Sequence, residues 1–524
     1  MSKWFPGRKL SWFRLTLLMI VVAALVGGGI FGWGWWQDQR EASEQRPWSD
    51  GYVDVTATPS FPFESPGSTG PKNVALAFVV GDPDAACSPA WGGVYGLDEA
   101  EQMLDLDRRL ARLRNLGGSA LVSFGGQANS DLALECTDPD RLADGYRQVV
   151  ERYELASIDM DIEGELLGDH AAIERQARAI RAVQEGTSDG LEVWLTLPIA
   201  PSGLTADGLA AVRTYLQAGV VVAGVNAMTM NYNSGLDEPL IDTILGSLTG
   251  LHGQLRTLAQ EEGTPVGEAT AWSKIGATPM IGQNDVRDEV FTLADARALS
   301  AFAAEHGMAR LSMWSLNRDR ECDNNWPDPK QVSDSCSGVD QGDERFSLTL
   351  AGERSGAIVQ PKPSPQPETP EHGEDVDDPE TSPYPIWNSD AAYPAETKIV
   401  WRRNVYEAKW WTQGEQPDET PENGAQPWRL LGPVLPGEKP IERPQLPAGA
   451  YPDWEHGTEY RQGDRVIFDG IGFEARWWTK GESPDAALVL PQNSPWRVLS
   501  DREVAAVQGG KTPDESASQA DTAG

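Results

Sequence analysis

The chain has 524 residues, more than one hydrophobic core sustains, so one large domain with smaller units is expected. With 79 Asp and Glu against 43 Lys and Arg, the formal charge of -36 excludes a nucleic-acid binder, whose phosphate contacts need clustered basic side chains. A neutral polymer such as a polysaccharide fits better, and the acidic stretch EHGEDVDDPE from Glu371 reads as solvated linker.

Residues 1–14 carry Lys3, Arg8, Lys9 and Arg14, and precede an uncharged, mostly apolar run over residues 15–36. That is about the ~20 residues a helix needs to cross a bilayer. Trp33, Trp35 and Trp36 close the run, followed at once by Gln37, Asp38 and Gln39. The pattern predicts a transmembrane anchor oriented N-in, with the remaining domains outside the cell. A cleaved signal peptide, giving a secreted chain, is the competing reading; it calls for a shorter apolar region and an A-x-A-like site, which is absent. The four cysteines, Cys87, Cys136, Cys322 and Cys336, form no C-x-x-C pair, and two disulfides are the simplest reading. Three pairings are possible; proximity favours Cys322 with Cys336 and Cys87 with Cys136, and four buried thiols is the alternative. The five histidines share no ligand spacing with them, so no metal site is expected.

Residues 37–72, polar and rich in Pro, Ser and Gly, read as a linker. Over residues 73–351, short β-branched runs alternate with segments of helical period. Strands are predicted at VALAFVV (from Val74), ALVSFGG (Ala120), ASIDMDIEG (Ala156), LEVWLTLP (Leu191), GVNAMTMNY (Gly224) and ARLSMWSLN (Ala309). Helices are predicted at Asp98–Leu116, Arg141–Arg152, Ala171–Glu185 and Ala294–His306. Such alternation predicts the α/β class and a closed (β/α)8 TIM barrel. Residues 352–384 are a Pro-rich acidic linker. After it the sequence repeats: Trp387 matches Trp454, Tyr393 matches Tyr460, and EAKWWTQGEQPD from Glu407 matches EARWWTKGESPD from Glu474, all 67 residues apart. Two small all-β modules are thus predicted at 385–433 and 451–500, joined by a linker at 434–450, with a disordered tail at 501–524.

Within SIDMDIEG, Asp159, Asp161 and Glu163 alternate with Ile158, Met160 and Ile162. In a strand the three acids share one face and the aliphatics the other. A solvated acidic face is the plainer alternative, but a strand sandwiched in a βα array has no wet face. The acids then project inward, with Glu163 nearest the carboxyl end, where barrel active sites lie. Stacked acids cannot all ionise cheaply, so at least one keeps its proton near neutral pH and supplies a general acid.

SIDMDIEG resembles the D-x-x-D-x-D-x-E signature of the family 18 glycoside hydrolases, the chitinases and their relatives. Ser123, Phe124, Gly125 and Gly126 resemble that family's S-x-G-G strand, and VNAMTMNY, with Met230, Asn231 and Tyr232, its sixth-strand motif. ATPMIGQND (Ala277–Asp285) and SMWSLNRD (Ser312–Asp319) resemble strands seven and eight, so the likeness covers roughly 73–345. It implies a retaining mechanism in which the substrate's 2-acetamido group is the nucleophile, with no cofactor. Glu163 is then the proton donor and Asp161 orients the acetamido group, with Asp159 beneath, sharing a proton or charge. Tyr232 would hydrogen-bond the acetamido oxygen, Trp314 would form an apolar floor, and Ser123, Gly125, Gly126, Met230 and Asn231 would complete the substrate site. Two positions depart from the pattern: Ala156 replaces the first Asp of the signature, and Asn231 replaces the acid usual before the sixth-strand Tyr.

The repeats resemble carbohydrate-binding modules of families 5 and 12. Strand alternation in YEAKWW puts Trp411, and Trp478 in the second copy, on the charged face as sugar-stacking platforms, and Trp410 and Trp477 toward the small core. Chitin or a related N-acetylglucosamine polymer is the expected partner, and a monomer the expected state. Other readings are a non-catalytic, membrane-displayed chitin receptor or adhesin, an endo-β-N-acetylglucosaminidase acting on glycoproteins, and a peptidoglycan-directed wall enzyme.

Overall fold

The computed structural model describes residues 12–43, 46–65, 72–187, 190–232, 238–323, 331–360, 377–389, 391–419, 424–440, 445–484, 487, 494–499 and 501–508. The chain divides into two units, Met1–Ser364 and Pro365–Gly524.

In the first unit, α1 (Trp12–Ala42) is followed by β1 (Trp48–Ser49), β2 (Tyr52–Asp54), β3 (Asn73–Asp82), β4 (Ala85–Trp91) and β5 (Tyr95–Gly96). Next come α2 (Leu97–Leu104), α3 (Leu106–Asn115), β6 (Ser119–Gly125), α4 (Leu132–Glu135), α5 (Pro139–Arg152) and β7 (Ser157–Asp161). Then follow α6 (Gly164–Gly168), α7 (His170–Gly186), β8 (Glu192–Ala200), β9 (Gly203–Leu204), α8 (Ala206–Gln217), β10 (Val222–Met228), α9 (Leu240–Glu261) and α10 (Glu268–Trp272). The unit ends with β11 (Ile275–Thr278), β12 (Gly282–Gln283), β13 (Val290–Phe291), α11 (Leu293–His306), β14 (Arg310–Leu311) and α12 (Phe346–Ala351).

The central sheet runs β14-β11-β10-β8-β7-β6-β3, each neighbouring pair parallel. At one end of this path β1 pairs parallel with β14; at the other β2, two residues further along the same run, pairs parallel with β3. The segment Trp48–Asp54, expected to be linker, is therefore a sheet strand. Its few apolar residues, among them buried Trp48, Tyr52 and Val53, are too short a run to stand out in a polar stretch. The helix expected over Asp98–Leu116 is two helices, broken where Asp105 turns left-handed (φ 49°). Apolar side chains such as Leu110, Val149, Ile173, Ile180, Leu248 and Leu299 fill the layer between sheet and helices. Both favoured disulfides form, Cys87–Cys136 and Cys322–Cys336.

The N-terminal expectation needs correction. Residues 12–42 form a helix, in which the side chains of 14, 21–32, 34 and 35, like all of residues 1–11, lie outside the described residues. Among the described residues no helix is long and apolar enough to cross a membrane, and the anchor and the placement outside the cell derived from it are not retained. The end of α1 is not a free tether either: the Asp38 carboxylate accepts hydrogen bonds from Ala269 N (3.0 Å) and Thr270 N (2.9 Å) in α10. The second linker also begins later than expected, since Gly356 bridges to Trp48 and Ile358 is buried beside it, whereas residues 361–376 lie outside the described residues.

In the second unit each repeat is a three-stranded antiparallel sheet: Lys398–Trp401, Asn404–Ala408 and Trp428–Pro433 in the first, Arg465–Phe468, Ile471–Ala475 and Trp496–Val498 in the second. Two segments expected to be unstructured are ordered. Leu446 packs with Ile467, Leu499 and Val504, the last from a helix at Asp501–Gln508; residues 509–524 lie outside the described residues.

Candidate active site

β7 delivers the acids as its spacing dictates. Ile158 and Met160 belong to the core cluster packed with the helices, and the alternate residues Asp159 and Asp161 take the opposite face. Asp159 is fully buried, Asp161 nearly so, and Glu163, in extended conformation just before α6, is partly exposed. The acids thus climb from the interior to the carboxyl end of the sheet, where Trp314 and Asn231 also lie beyond β14 and β10.

Four donors surround Asp159: Tyr52 Oη and Ser123 Oγ (2.7 Å each) reach Oδ2, while Thr196 Oγ1 (2.6 Å) and Arg310 Nη1 (2.7 Å) reach Oδ1. Arg310, also fully buried, gives Nη2 (2.9 Å) and Nε (3.2 Å) to Asp50, a bidentate pair. The rings of Trp48, Tyr52 and Trp194 lie 5.1, 5.5 and 5.7 Å from its guanidinium carbon. Burial nevertheless holds the Asp50 carboxyl above the usual carboxylate range. With four donors on its two oxygens Asp159 anchors a polar cluster, and its charge acts on the Asp161 carboxyl.

Asp161 is different: its Oδ1 is buried and has no hydrogen-bond partner. Burial first, then the charges of Glu163 and Asp159, push its carboxyl well above the ordinary range. Glu163 is pushed up to about 7, by burial first and then by the charge of Asp285. Asn231 donates from Nδ2 to Asp285 Oδ2 (2.7 Å) and accepts at Oδ1 from Val286 N (3.3 Å). The arrangement provides a carboxylic acid protonated near neutrality beside a second acid with a vacant acceptor.

Trp314 is half-buried and stacks on Phe78, centroids 5.5 Å apart and planes 19° apart, with Tyr52 at 6.1 Å. Two of the expected substrate residues have protein partners. Ser123 is fully buried and holds Asp159. The Tyr232 side chain is partly buried, its hydroxyl pairs with Ser247 Oγ of α9 at 3.0 Å, and burial raises its pKa. Met230 is half-buried between buried Thr229 and Asn231. The two glycines serve close approach: a Cβ on Gly125 (φ 102°) would lie 2.2 Å from the Asp161 carbonyl oxygen, and one on Gly126 (φ 90°) 3.0 Å from the Phe78 ring. Behind them buried Asp131 accepts from Ala133 N (2.6 Å) and Gln176 Nε2 (3.3 Å), and burial raises it to about 6.

Sequence reasoning missed Asp50, Tyr52, Phe78, Asp131, Thr196, Asp285 and Arg310. Asp285 stood in the strand-seven motif without a role; Tyr52, Thr196 and Arg310 meet Asp159 only across the sheet, and Asp50, Phe78 and Asp131 meet the site through Arg310, Trp314 and the α4 cap.

In the repeats, all four tryptophans of the two Trp-Trp pairs are exposed: Trp410 45%, Trp411 61%, Trp477 44% and Trp478 59%. The expectation that Trp410 and Trp477 fill the cores is corrected. The strands end at Ala408 and Ala475 and the chain bends there, so alternation no longer assigns faces. Tyr393, Tyr406 and Trp428 fill the first core, and Tyr460, Phe473 and Trp496 the second.

The first unit thus sets stacked acids at the carboxyl end of a parallel sheet, and the second exposes paired tryptophans. Residues 453–497 match carbohydrate-binding module family 5/12. Over 259 residues the chain is 36% identical to a probable bifunctional chitinase/lysozyme of Escherichia coli K12, covering 47% of this chain and 28% of that protein. It is 35% identical over 260 residues to endochitinase 11 of Metarhizium anisopliae, covering 47% of this chain and 48% of that protein. The chain thus spans less than half the length of these curated relatives. Among solved structures, the catalytic domain of a hyperthermophilic chitinase from Pyrococcus furiosus is 28% identical, with a TM-score of 0.50, covering 59% of this chain and 95% of that one. The resemblance to family 18 chitinases carrying a family 5/12 carbohydrate-binding module is borne out.

Proposed function

We propose that the chain is a chitinase that hydrolyses β-1,4-linked N-acetylglucosamine polymers by a retaining, substrate-assisted mechanism, without a cofactor. The observation that carries this reading is the pair Asp161 and Glu163 at the carboxyl end of β7, both held above the ordinary carboxylate range and one with a vacant buried acceptor. We infer that the eight parallel strands close a (β/α)8 barrel, as the pairing of the Trp48–Asp54 run with both β14 and β3 supports.

In this reading an acetamido N–H donates to Asp161 Oδ1. The bond favours the Asp161 carboxylate and leaves the proton of the pair on Glu163. The acetamido carbonyl oxygen attacks the anomeric carbon as the glycosidic C–O bond breaks, and the Glu163 proton passes to the leaving oxygen. Water then adds at the anomeric carbon, from the face the first sugar left, and gives its proton to the Glu163 carboxylate. The oxazoline ring opens to restore the acetamido group, with net retention. The Trp314 ring, braced by Phe78, supplies the apolar surface under the sugar. The charges of Asp50, Asp159 and Arg310, buried beneath, hold β7 in register rather than touch substrate.

Dependence on the substrate's own acetamido group separates this mechanism from a two-carboxylate one. A fluorogenic chitobioside should be cleaved at least ~100-fold faster than its de-N-acetylated analogue. Equal kcat/KM on both would remove the acetamido nucleophile from the account.

A further inference from the structure

The two repeats differ at the tip of their first hairpin. In each, two residues join the strands, with Trp401 opposite Asn404 in the first repeat and Phe468 opposite Ile471 in the second. Both turn residues are left-handed in each copy: Arg402 (φ 49°) and Arg403 (φ 56°) in the first, Asp469 (φ 49°) and Gly470 (φ 77°) in the second. Asp-Gly is a pair that such a turn favours, since glycine has no Cβ to clash and Asp tolerates the conformation. Two arginines make the same turn only at a cost in backbone energy. The first tip also holds a carboxylate. Asp377, from the acidic stretch before the repeat, accepts from Arg402 N at Oδ2 (2.8 Å) and from Arg403 N at Oδ1 (2.7 Å), so both its oxygens sit on successive turn amides. Those amides do not require arginine side chains. Arg402 gives Nη1 to Asp418 Oδ2 (2.7 Å) and lies over Trp401, its guanidinium carbon 5.5 Å from the ring centre, while Trp401 Nε1 donates to Asp418 Oδ1 (2.9 Å). Arg403 is exposed, and no acidic side chain among the described residues pairs with its guanidinium.

We propose that this tip is a binding site for the carboxylates of an acidic polysaccharide, separate from the Trp-Trp pairs, and that Asp377 occupies it when no such ligand is present. The seated Asp377 carboxylate is the group the turn amides accept. The guanidinium of Arg403, held at a position that penalises any side chain, offers a planar fork of donors for a carboxylate of the ligand. Half-buried Trp401 adds an aromatic surface for a sugar ring. The site belongs to the first repeat alone, because Asp469 sets a negative charge at the corresponding place in the second. It also lies at the other end of the hairpin from the indoles: the turn precedes strand Asn404–Ala408, and Trp410 and Trp411 follow it. A chain of formal charge -36 repels a polyanion at long range, so contacts at this tip have to carry the binding. The proposal is independent of the hydrolysis.

The test titrates the full chain with soluble oligogalacturonate and, as the control, with its methyl ester, whose carboxylates are masked. Wild type, Asp377→Asn, Arg403→Gln and the double exchange Arg402→Asp/Arg403→Gly are compared, the last giving the first repeat the turn with which the second folds. Wild type should bind the acid form and not the ester, more weakly as salt is raised. Asp377→Asn, which removes the competing carboxylate, should tighten binding by about threefold to tenfold. Arg403→Gln should weaken it at least ~3-fold and the double exchange should abolish it, while adsorption to chitin through the indoles stays at the wild-type level and certifies the fold. A turn that serves only to hold Asp377 predicts no binding by any form of the chain. Absence of binding by both wild type and Asp377→Asn therefore overturns the proposal, as does equal binding of acid and ester, or binding that survives the double exchange.

Discussion

Arg310 sets the electrostatic ground of the site. Its guanidinium is fully buried between Asp50 and Asp159 and enclosed by three aromatic rings. Attraction between such groups offsets a large desolvation cost only while all the partners are present. Replacing Arg310 by Met removes the cation and leaves two carboxylates buried. The substitution should cost about 3–5 kcal/mol in urea unfolding. A loss below about 1 kcal/mol would mean that the cluster is solvated in solution. At this scale the acids of β7 were legible because a two-residue period speaks for itself within five residues. Asp50, Tyr52 and Arg310 were not, since Tyr52 and Arg310 reach Asp159 from 107 and 151 residues away, and no local pattern marks them. Nor does the motif around Tyr232 mark Ser247 as the partner of its hydroxyl, since Ser247 lies on α9.

Between elements, Asp131 joins β6, α4 and α7. It caps α4 through Ala133 N and binds Gln176 of α7, whose amide also meets Tyr146 and Tyr215. Burial raises Asp131 from 3.8 to about 6. A carboxyl whose folded pKa is raised contributes stability that is full below its unfolded pKa and is lost as pH rises through the folded value. Between about pH 4 and 6 this group alone should withdraw on the order of 3 kcal/mol from the wild type. Asp131→Asn keeps a side-chain acceptor for the cap and removes the titration, so the stability difference between variant and wild type should move in the variant's favour over that window. A difference constant from pH 4 to 7 would show that Asp131 titrates normally. The elements themselves were mostly legible: β3, β6, β7, β8, β10 and β14 lie within or against the predicted runs, since a buried parallel strand is a dense apolar block. Trp48–Asp54 escaped because its neighbours are polar and its burial comes from β14 and β3, not from its own sequence. The tryptophan faces in the modules were misassigned because the alternation rule was carried past the end of the strand.

For the whole molecule, the two units differ in chemistry. The first buries Asp50, Asp159, Asp161 and Arg310; the second exposes indoles on cores too small to hide them. Each Trp-Trp pair sets a cation beside an aromatic face, Lys409 at 5.6 Å from Trp410 and Arg476 at 5.0 Å from Trp477. On the proposed function, two such surfaces on one chain would raise the effective concentration of the first unit on a repetitive polymer. Binding and turnover should therefore be separable. The most direct measurement compares full-length wild type with Glu163→Gln for release of soluble sugar from chitin and, on the same samples, for adsorption to it. The account expects wild type to release chito-oligosaccharides, Glu163→Gln to lose turnover by a factor on the order of 10² or more, and both to adsorb equally. Adsorption by both with release by neither would contradict it and leave a chitin-binding protein without catalysis.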